Sequence, residues 1–362
     1  MFESSSARRE GGPDRTLHVA GSERTAPIAP GETLLGAAVR GKIPFPHMCN
    51  VGECGACKCR LVEGHIRLAK DISRLVSPDD LARGFVLACQ SVAESEVVEV
   101  EVPGMGRAHA EEPAPCDARI TRVTPLAPDI LALELGLDAD LRYSAGQYAQ
   151  LTVPSVPALS TPRCYSFAEA PGRTAPRRAL FHVRRVPGGA FTGWLFAADR
   201  TGARLRLSGP HGCFGYHHTE RSLLCVAGGT GLSPLEAILE QGILDGVARD
   251  VTLIVGARTQ RDLYALDAIA SIQERWRGRF SFVPVLSQEP ESSGWRGRRG
   301  HVTDVLREAA PSLAACAAYV CGPPGMIDAA LDVLRDRIPP EHVHHDRFLD
   351  RSSLALAAPQ GA

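Results

Sequence analysis

Val98, Val100 and Val102 alternate with Glu99 and Glu101, the period of two that turns one face of a strand to a core and the other to water. This strand closes a first folded region expected over 15–103, in which residues 33–40 read as a short helix ending at Gly41. A second region is expected over 116–218. There Leu131, Leu133, Leu135 and Leu137 alternate with smaller or polar residues, 148–153 and 180–186 read as further strands, and dense Pro and Gly predict an antiparallel barrel or sandwich. In the third region, 219–349, short apolar runs at 223–227, 251–255, 280–286 and 317–320 alternate with helical stretches that start near Ser233, Asp262, Val302 and Met326. Strand–helix alternation predicts a parallel sheet wrapped by helices. Residues 1–14, 104–115 and 350–362 read as a disordered tail, an interdomain linker and a loose second tail. The fold class expected is therefore multidomain, α+β followed by α/β.

Composition narrows the function. With 40 basic and 41 acidic side chains and 6% aromatic residues among 362, the chain lacks the basic excess and stacking surface of a nucleic-acid binder. No apolar run approaches the roughly 18 residues of a membrane span, and the first residues carry no apolar core of a secretory leader. A reducing cytoplasm is the expected compartment, so the eleven cysteines call for a use other than disulfides, such as metal binding.

Cys49, Cys54 and Cys57 follow the spacing C-x4-C-x2-C, with Cys89 as a distant fourth. This is the plant-type spacing for a 2Fe–2S cluster, whose two irons need four outer thiolates. Gly52 and Gly55 free the loop to point N–H groups at sulfur. The competing readings are zinc, which more often takes two C-x2-C pairs, and plain buried thiols; Cys59 reads as packing. Residues 15–103 resemble a plant-type ferredoxin domain, through FPHMCNVGECGACKCRLVEG and LACQSV. That resemblance implies a β-grasp fold and Cys49, Cys54, Cys57 and Cys89 as ligands.

In the second region Arg163-Cys-Tyr165-Ser166 offers a guanidinium for a pyrophosphate, a ring to lie against a flavin and a hydroxyl for a ring nitrogen. Downstream, Val183 ends an apolar run and Gly188, Gly189 and Thr192 open a helix whose N–H groups suit phosphate. Together with Gly209-Pro210-His-Gly212 these motifs resemble the FAD domain of the ferredoxin–NADP reductase superfamily. In the third region a strand runs into Gly228-Gly229-Thr230-Gly231-Leu-Ser233-Pro234, with Ser233 placed to cap a helix and Pro234 to begin it. It resembles that family's nucleotide loop, and Cys321-Gly322-Pro323-Pro-Gly-Met326 its nicotinamide segment. Phe348 falls where a family aromatic covers the flavin and makes room for nicotinamide. Arg258 and Arg261 suit a 2′-phosphate and hence NADPH, but the phrase GARTQRDLY resembles NADH-using reductases, so NADH is expected and NADPH is the alternative.

The order ferredoxin, FAD, NAD resembles the reductase components of bacterial oxygenases, of the naphthalene dioxygenase and xylene monooxygenase type. The resemblance implies electron flow from NADH to FAD to 2Fe–2S and on to a terminal oxygenase or hydroxylase, directly or through a further ferredoxin, with aromatic hydrocarbon breakdown as the setting. Ser166, Cys321 and Phe348 are the expected catalytic contacts. A reductase for another acceptor, such as a desaturase, and a non-enzymatic redox sensor are the other readings. Neither nucleic acid nor a membrane span is expected; a membrane-bound partner is left open.

Overall fold

The computed structural model describes residues 15–102 and 115–348, apart from Glu23, Pro44, 48–51, Glu53, Cys54, Arg74, Thr174 and Cys213. Cys49, Cys54 and the segments read as tails lie outside these residues, as does the linker except Pro115. The chain divides into two compact units.

The first unit holds seven strands: β1 (Arg15–Val19), β2 (Thr25–Ile28), β3 (Lys58–Glu63), β4 (Ile66–Leu68), β5 (Phe85–Leu87), β6 (Ser91–Ala93) and β7 (Val97–Glu101). Its main sheet runs β2-β1-β7-β3-β5, with β1 and β7 parallel and the other neighbours antiparallel; β4 pairs separately with β6. Val98 and Val100 are fully buried, as the alternation requires. Helix α1 (Leu34–Arg40) starts where expected because the Thr33 hydroxyl accepts from the Gly36 N–H at 3.1 Å. Leu34, Leu35, Ala37 and Ala38 then join the unit's core. A short helix, α2 (Pro78–Ala82), precedes β5.

The second unit carries two sheets. The first comprises β8 (Cys116–Ala127), β9 (Ile130–Leu137), β10 (Tyr148–Thr152), β11 (Arg163–Ser166), β12 (Arg178–Arg184) and β13 (Arg204–His211), with α3 (Ala190–Ala197) between the last two. The ladder order β11-β10-β13-β8-β9-β12 is antiparallel throughout, and its ends meet through one bridge, Phe167 with Phe181. Leu133, Leu135 and Leu137 fill its core.

The other sheet comprises β14 (Ser222–Gly228), β15 (Val251–Ala257), β16 (Phe280–Leu286), β17 (Arg298–Arg299), β18 (Cys316–Gly322) and β19 (Val343–Arg347), ordered β17-β16-β15-β14-β18-β19 and wholly parallel. Alternate residues of β14 feed opposite apolar layers, Leu223, Cys225 and Ala227 one, Leu224 and Val226 the other. Helices α4 (Leu232–Leu244), α5 (Leu266–Arg275), α6 (Val302–Glu308) and α7 (Pro324–Leu334) complete these layers. Two helix starts differ from expectation. Gly231, not Ser233, caps α4. The Asp262 stretch is a single 3-10 turn closed by reciprocal Thr259–Asp262 hydrogen bonds, and α5 waits for Ala265, which turns left-handed at φ 55°. Among the described residues no helix is long and apolar enough to cross a membrane.

Candidate active site

In the first unit, Cys57 and Cys89 are 3% and 4% exposed, and the Cys89 N–H points at the Cys57 sulfur from 3.5 Å. The Gln90 amide nitrogen reaches the Cys89 sulfur at 3.6 Å. Gly52 and Gly55 take φ of 80° and 75°, a left-handed backbone costly for other residues. N–H donors converging on two buried sulfurs suit the thiolates of a cluster. Cys59 is fully buried and burial pushes its thiol up to about 12, so it packs as a neutral side chain.

In the second unit, β11 presents the expected flavin residues. Strand alternation separates them: Arg163 and Tyr165 point to one face, Cys164 and Ser166 to the other. The Tyr165 ring lies 5.4 Å from Phe191 of α3, and its burial raises the phenol above its ordinary range. Ser166 is buried opposite Tyr148. The Arg163 guanidinium donates to the carbonyls of Thr161 and Pro162 at 3.2 and 2.9 Å, so it leans on its own loop. Thr192 accepts from the Val186 N–H at 3.1 Å and thereby shapes the turn carrying Gly188, whose φ is 69°, and Gly189. No side chain caps α3, which leaves its first N–H groups for an anion. The Val183 side chain is fully buried in the core, so only its main chain is available to a cofactor.

The nucleotide loop has a structural logic beyond phosphate. A Cβ on Gly231 would collide with the Cys321 carbonyl, and one on Gly322 would sit 2.9 Å from the Gly228 carbonyl. The two motifs therefore clamp each other through glycine backbone. Gly229, at φ 55°, turns the chain into α4, whose first turn has no side-chain cap. Thr230 is half-buried beside it. Gly229, Arg258, Pro323 and Met326 line one cavity of about 470 Å3. Cys321 lies behind that cavity, fully buried, and its thiol is raised well above its ordinary range by burial, then by Asp346. Phe348 packs half-buried against the same core.

Several residues at this site carry no motif. Asp129 and Arg184 reach the cavity from the other sheet. Asp346 stands opposite Cys321 on β19, and burial pushes its carboxyl up to about 7. His182 sits edge-on to Tyr264 at 5.3 Å, with its imidazole pushed down to about 4 by burial. The signal for Arg184 and His182 was their place in the run before Gly188; the Asp129 turn offered none.

Three family models match the chain in this order: a 2Fe-2S iron-sulfur cluster binding domain over 17–94, an oxidoreductase FAD-binding domain over 117–216 and an oxidoreductase NAD-binding domain over 225–332. The electron transfer component of xylene/toluene monooxygenase from Pseudomonas putida is 40% identical, across 94% of this chain and 95% of that protein. The chain belongs to the oxygenase reductase components of the ferredoxin–NAD(P) reductase superfamily. The reductase subunit of an aromatic O-demethylase from Amycolatopsis is 35% identical over 93% of this chain and 100% of its own length. Among solved structures, a cytochrome P450 reductase of Amycolatopsis superposes with a TM-score of 0.69 at 34% identity, covering 92% of this chain and 98% of that one. The ferredoxin reductase of carbazole 1,9a-dioxygenase gives 0.65 at 30% identity, covering 92% and 98%. As a member of this family the protein is an electron-transfer oxidoreductase that uses a 2Fe–2S cluster, FAD and NAD(P)H.

Proposed function

We propose that this reductase takes electrons from NADH and delivers them one at a time to the terminal component of an oxygenase acting on aromatic compounds. The observation that carries the reading is the cavity, lined from the parallel sheet by Gly229, Pro323 and Met326 and from the antiparallel sheet by Asp129 and Arg184. A dinucleotide held there touches both sheets of the unit. When bound, FAD accepts electrons in pairs from NADH and yields them singly, as a one-electron cluster requires.

The protein's own work is positioning. Cys49, Cys54, Cys57 and Cys89 hold the cluster. Arg163, Tyr165, the Val183 main chain and the Gly188–Thr192 turn hold the flavin, with Ser166 as its ring contact. Gly229, Thr230, Gly231, Arg258, the Cys321 main chain, Gly322, Pro323 and Met326 hold the dinucleotide, with Phe348 as a displaceable cover. The domains proposed are a β-grasp over 15–103, an FAD-binding barrel over 116–218, supported by the bridge that joins the ends of its ladder, and a nucleotide-binding domain over 219–349. The thiol-rich interior suits a reducing cytoplasm. The relatives' printed roles in xylene/toluene monooxygenase and aromatic O-demethylase support an aromatic setting.

Anaerobic titration with NADH tests the reading. Loss of both flavin and cluster absorbance is expected; holoprotein in which NADH bleaches neither contradicts it.

A further inference from the structure

The loop after β15 is where a doubly wound sheet meets the adenosine ribose: a carboxylate there suits a 2′-hydroxyl and an arginine suits a 2′-phosphate. This loop carries both, Arg258 and Asp262, and a third group arrives from outside the nucleotide-binding sheet. Asp129, in the turn between β8 and β9, lines the same cavity. Its Oδ2 accepts from Arg258 Nη2 at 3.1 Å and from Arg184 Nε at 2.9 Å. Arg258 Nη2 also donates to Asp262 Oδ1 at 2.9 Å.

The Asp129 backbone and the Asp262 carboxylate are each tied down by neighbours. The Asp129 carbonyl accepts from the Arg185 N–H at 2.7 Å, and Asp262 Oδ2 accepts from the Thr259 N–H and hydroxyl, each at 2.9 Å. The cavity thus faces a ligand with two guanidiniums already matched by two carboxylates. Asp129 Oδ1 is buried without a partner, an acceptor left for a donor. A ribose hydroxyl donates; a phosphate brings a charge of about −1.5 to −2 and only acceptors.

We propose that Asp129 is a specificity-determining residue, which makes the nucleotide site select a 2′-hydroxyl over a 2′-phosphate by neutralising Arg258 from the flavin-binding sheet. The inference rests on the cavity being the dinucleotide site and adds the reason NADH is preferred there. Arg261, exposed and not lining the cavity, takes no part.

The test is calorimetric binding of 5′-AMP and 2′,5′-ADP, which differ by the 2′-phosphate alone, to the flavin-loaded protein and its Asp129→Asn variant. The affinity ratio shifts toward 2′,5′-ADP by about tenfold, the worth of one charge-assisted hydrogen bond. The ratio of kcat/KM for NADPH over NADH moves the same way. A variant that weakens or spares both ligands equally shows Asp129 to be only a structural strap and overturns the proposal. Arg258→Ala in the otherwise natural chain checks the claim from the other side of the pair, with the Asp129 carboxylate and its bond to Arg184 retained. An arginine already neutralised leaves the ratio in place, whereas selective loss of 2′,5′-ADP contradicts the proposal. Wild-type protein that binds neither fragment while keeping its flavin removes the dinucleotide reading of the cavity itself, and Asp129 with it.

Discussion

The Phe348 N–H donates to the Gly322 carbonyl at 2.9 Å. One residue earlier Arg347, 2% exposed, pairs with Asp328 of α7 at 2.6 Å. The backbone that carries the aromatic ring is therefore tied to the segment proposed for the nicotinamide, which leaves side-chain rotation as the way the proposed cover would open. If the ring covers that place, a dinucleotide binds only the fraction of molecules in which it has moved. Phe348→Ala should tighten NAD+ binding, by roughly tenfold if a tenth of the molecules are open. Spectral titration of the flavoprotein with NAD+ measures this, and an unchanged dissociation constant would show that the ring covers nothing the nicotinamide needs.

Gly231 owes its identity to packing. Since an added Cβ would run into the Cys321 carbonyl, Gly231→Ala should part the two glycine motifs, cost about 1–3 kcal/mol of stability and abolish turnover with NADH. Gly193, inside α3, has nothing within 4 Å of an added Cβ. Gly193→Ala should raise stability by about 0.5–1 kcal/mol through helix propensity. Thermal unfolding of both variants separates a glycine required by contact from one that is not.

The contrast shows what was legible in the sequence. Period-two runs such as Val98–Val102 and Leu131–Leu137 report a buried face directly, and the C-x4-C-x2-C spacing points to a 2Fe–2S domain, as the family model over 17–94 bears out. Gly229–Gly231 were recognisable as a turn, but their mutual packing with Gly322 links positions nearly a hundred residues apart and leaves no local signal. The same holds for the cap of α4. Ser233 is a good capping residue, yet the cap of α4 is Gly231, a position where any Cβ would meet the Cys321 carbonyl. Asp129 reads as an ordinary turn residue until β9 and β12 bring it to Arg184 and the end of β15 brings Arg258 to it.

Glu236 gives a pH prediction. It is 6% exposed on α4, its Oε2 has no partner, and burial, then the nearby Glu169, push its carboxyl up to about 8. The folded protein therefore holds a proton that the unfolded chain releases near 4.5. Stability from this group is complete at low pH and falls as pH rises through about 8, by at most about 1.4 kcal/mol per pH unit. Glu236→Gln should match the wild type near pH 5 and exceed it at pH 8.5. Melting temperatures that stay parallel across this range would show that Glu236 does not carry the proton.

The direction of electron flow is tested most directly by Cys89→Ser in flavin-loaded protein. NADH should still reduce ferricyanide at the flavin, while the electron paramagnetic resonance signal of the reduced cluster and the reduction of cytochrome c disappear. Loss of the ferricyanide activity as well, in protein that is folded and retains its FAD, would contradict a path in which NADH meets the flavin before the cluster.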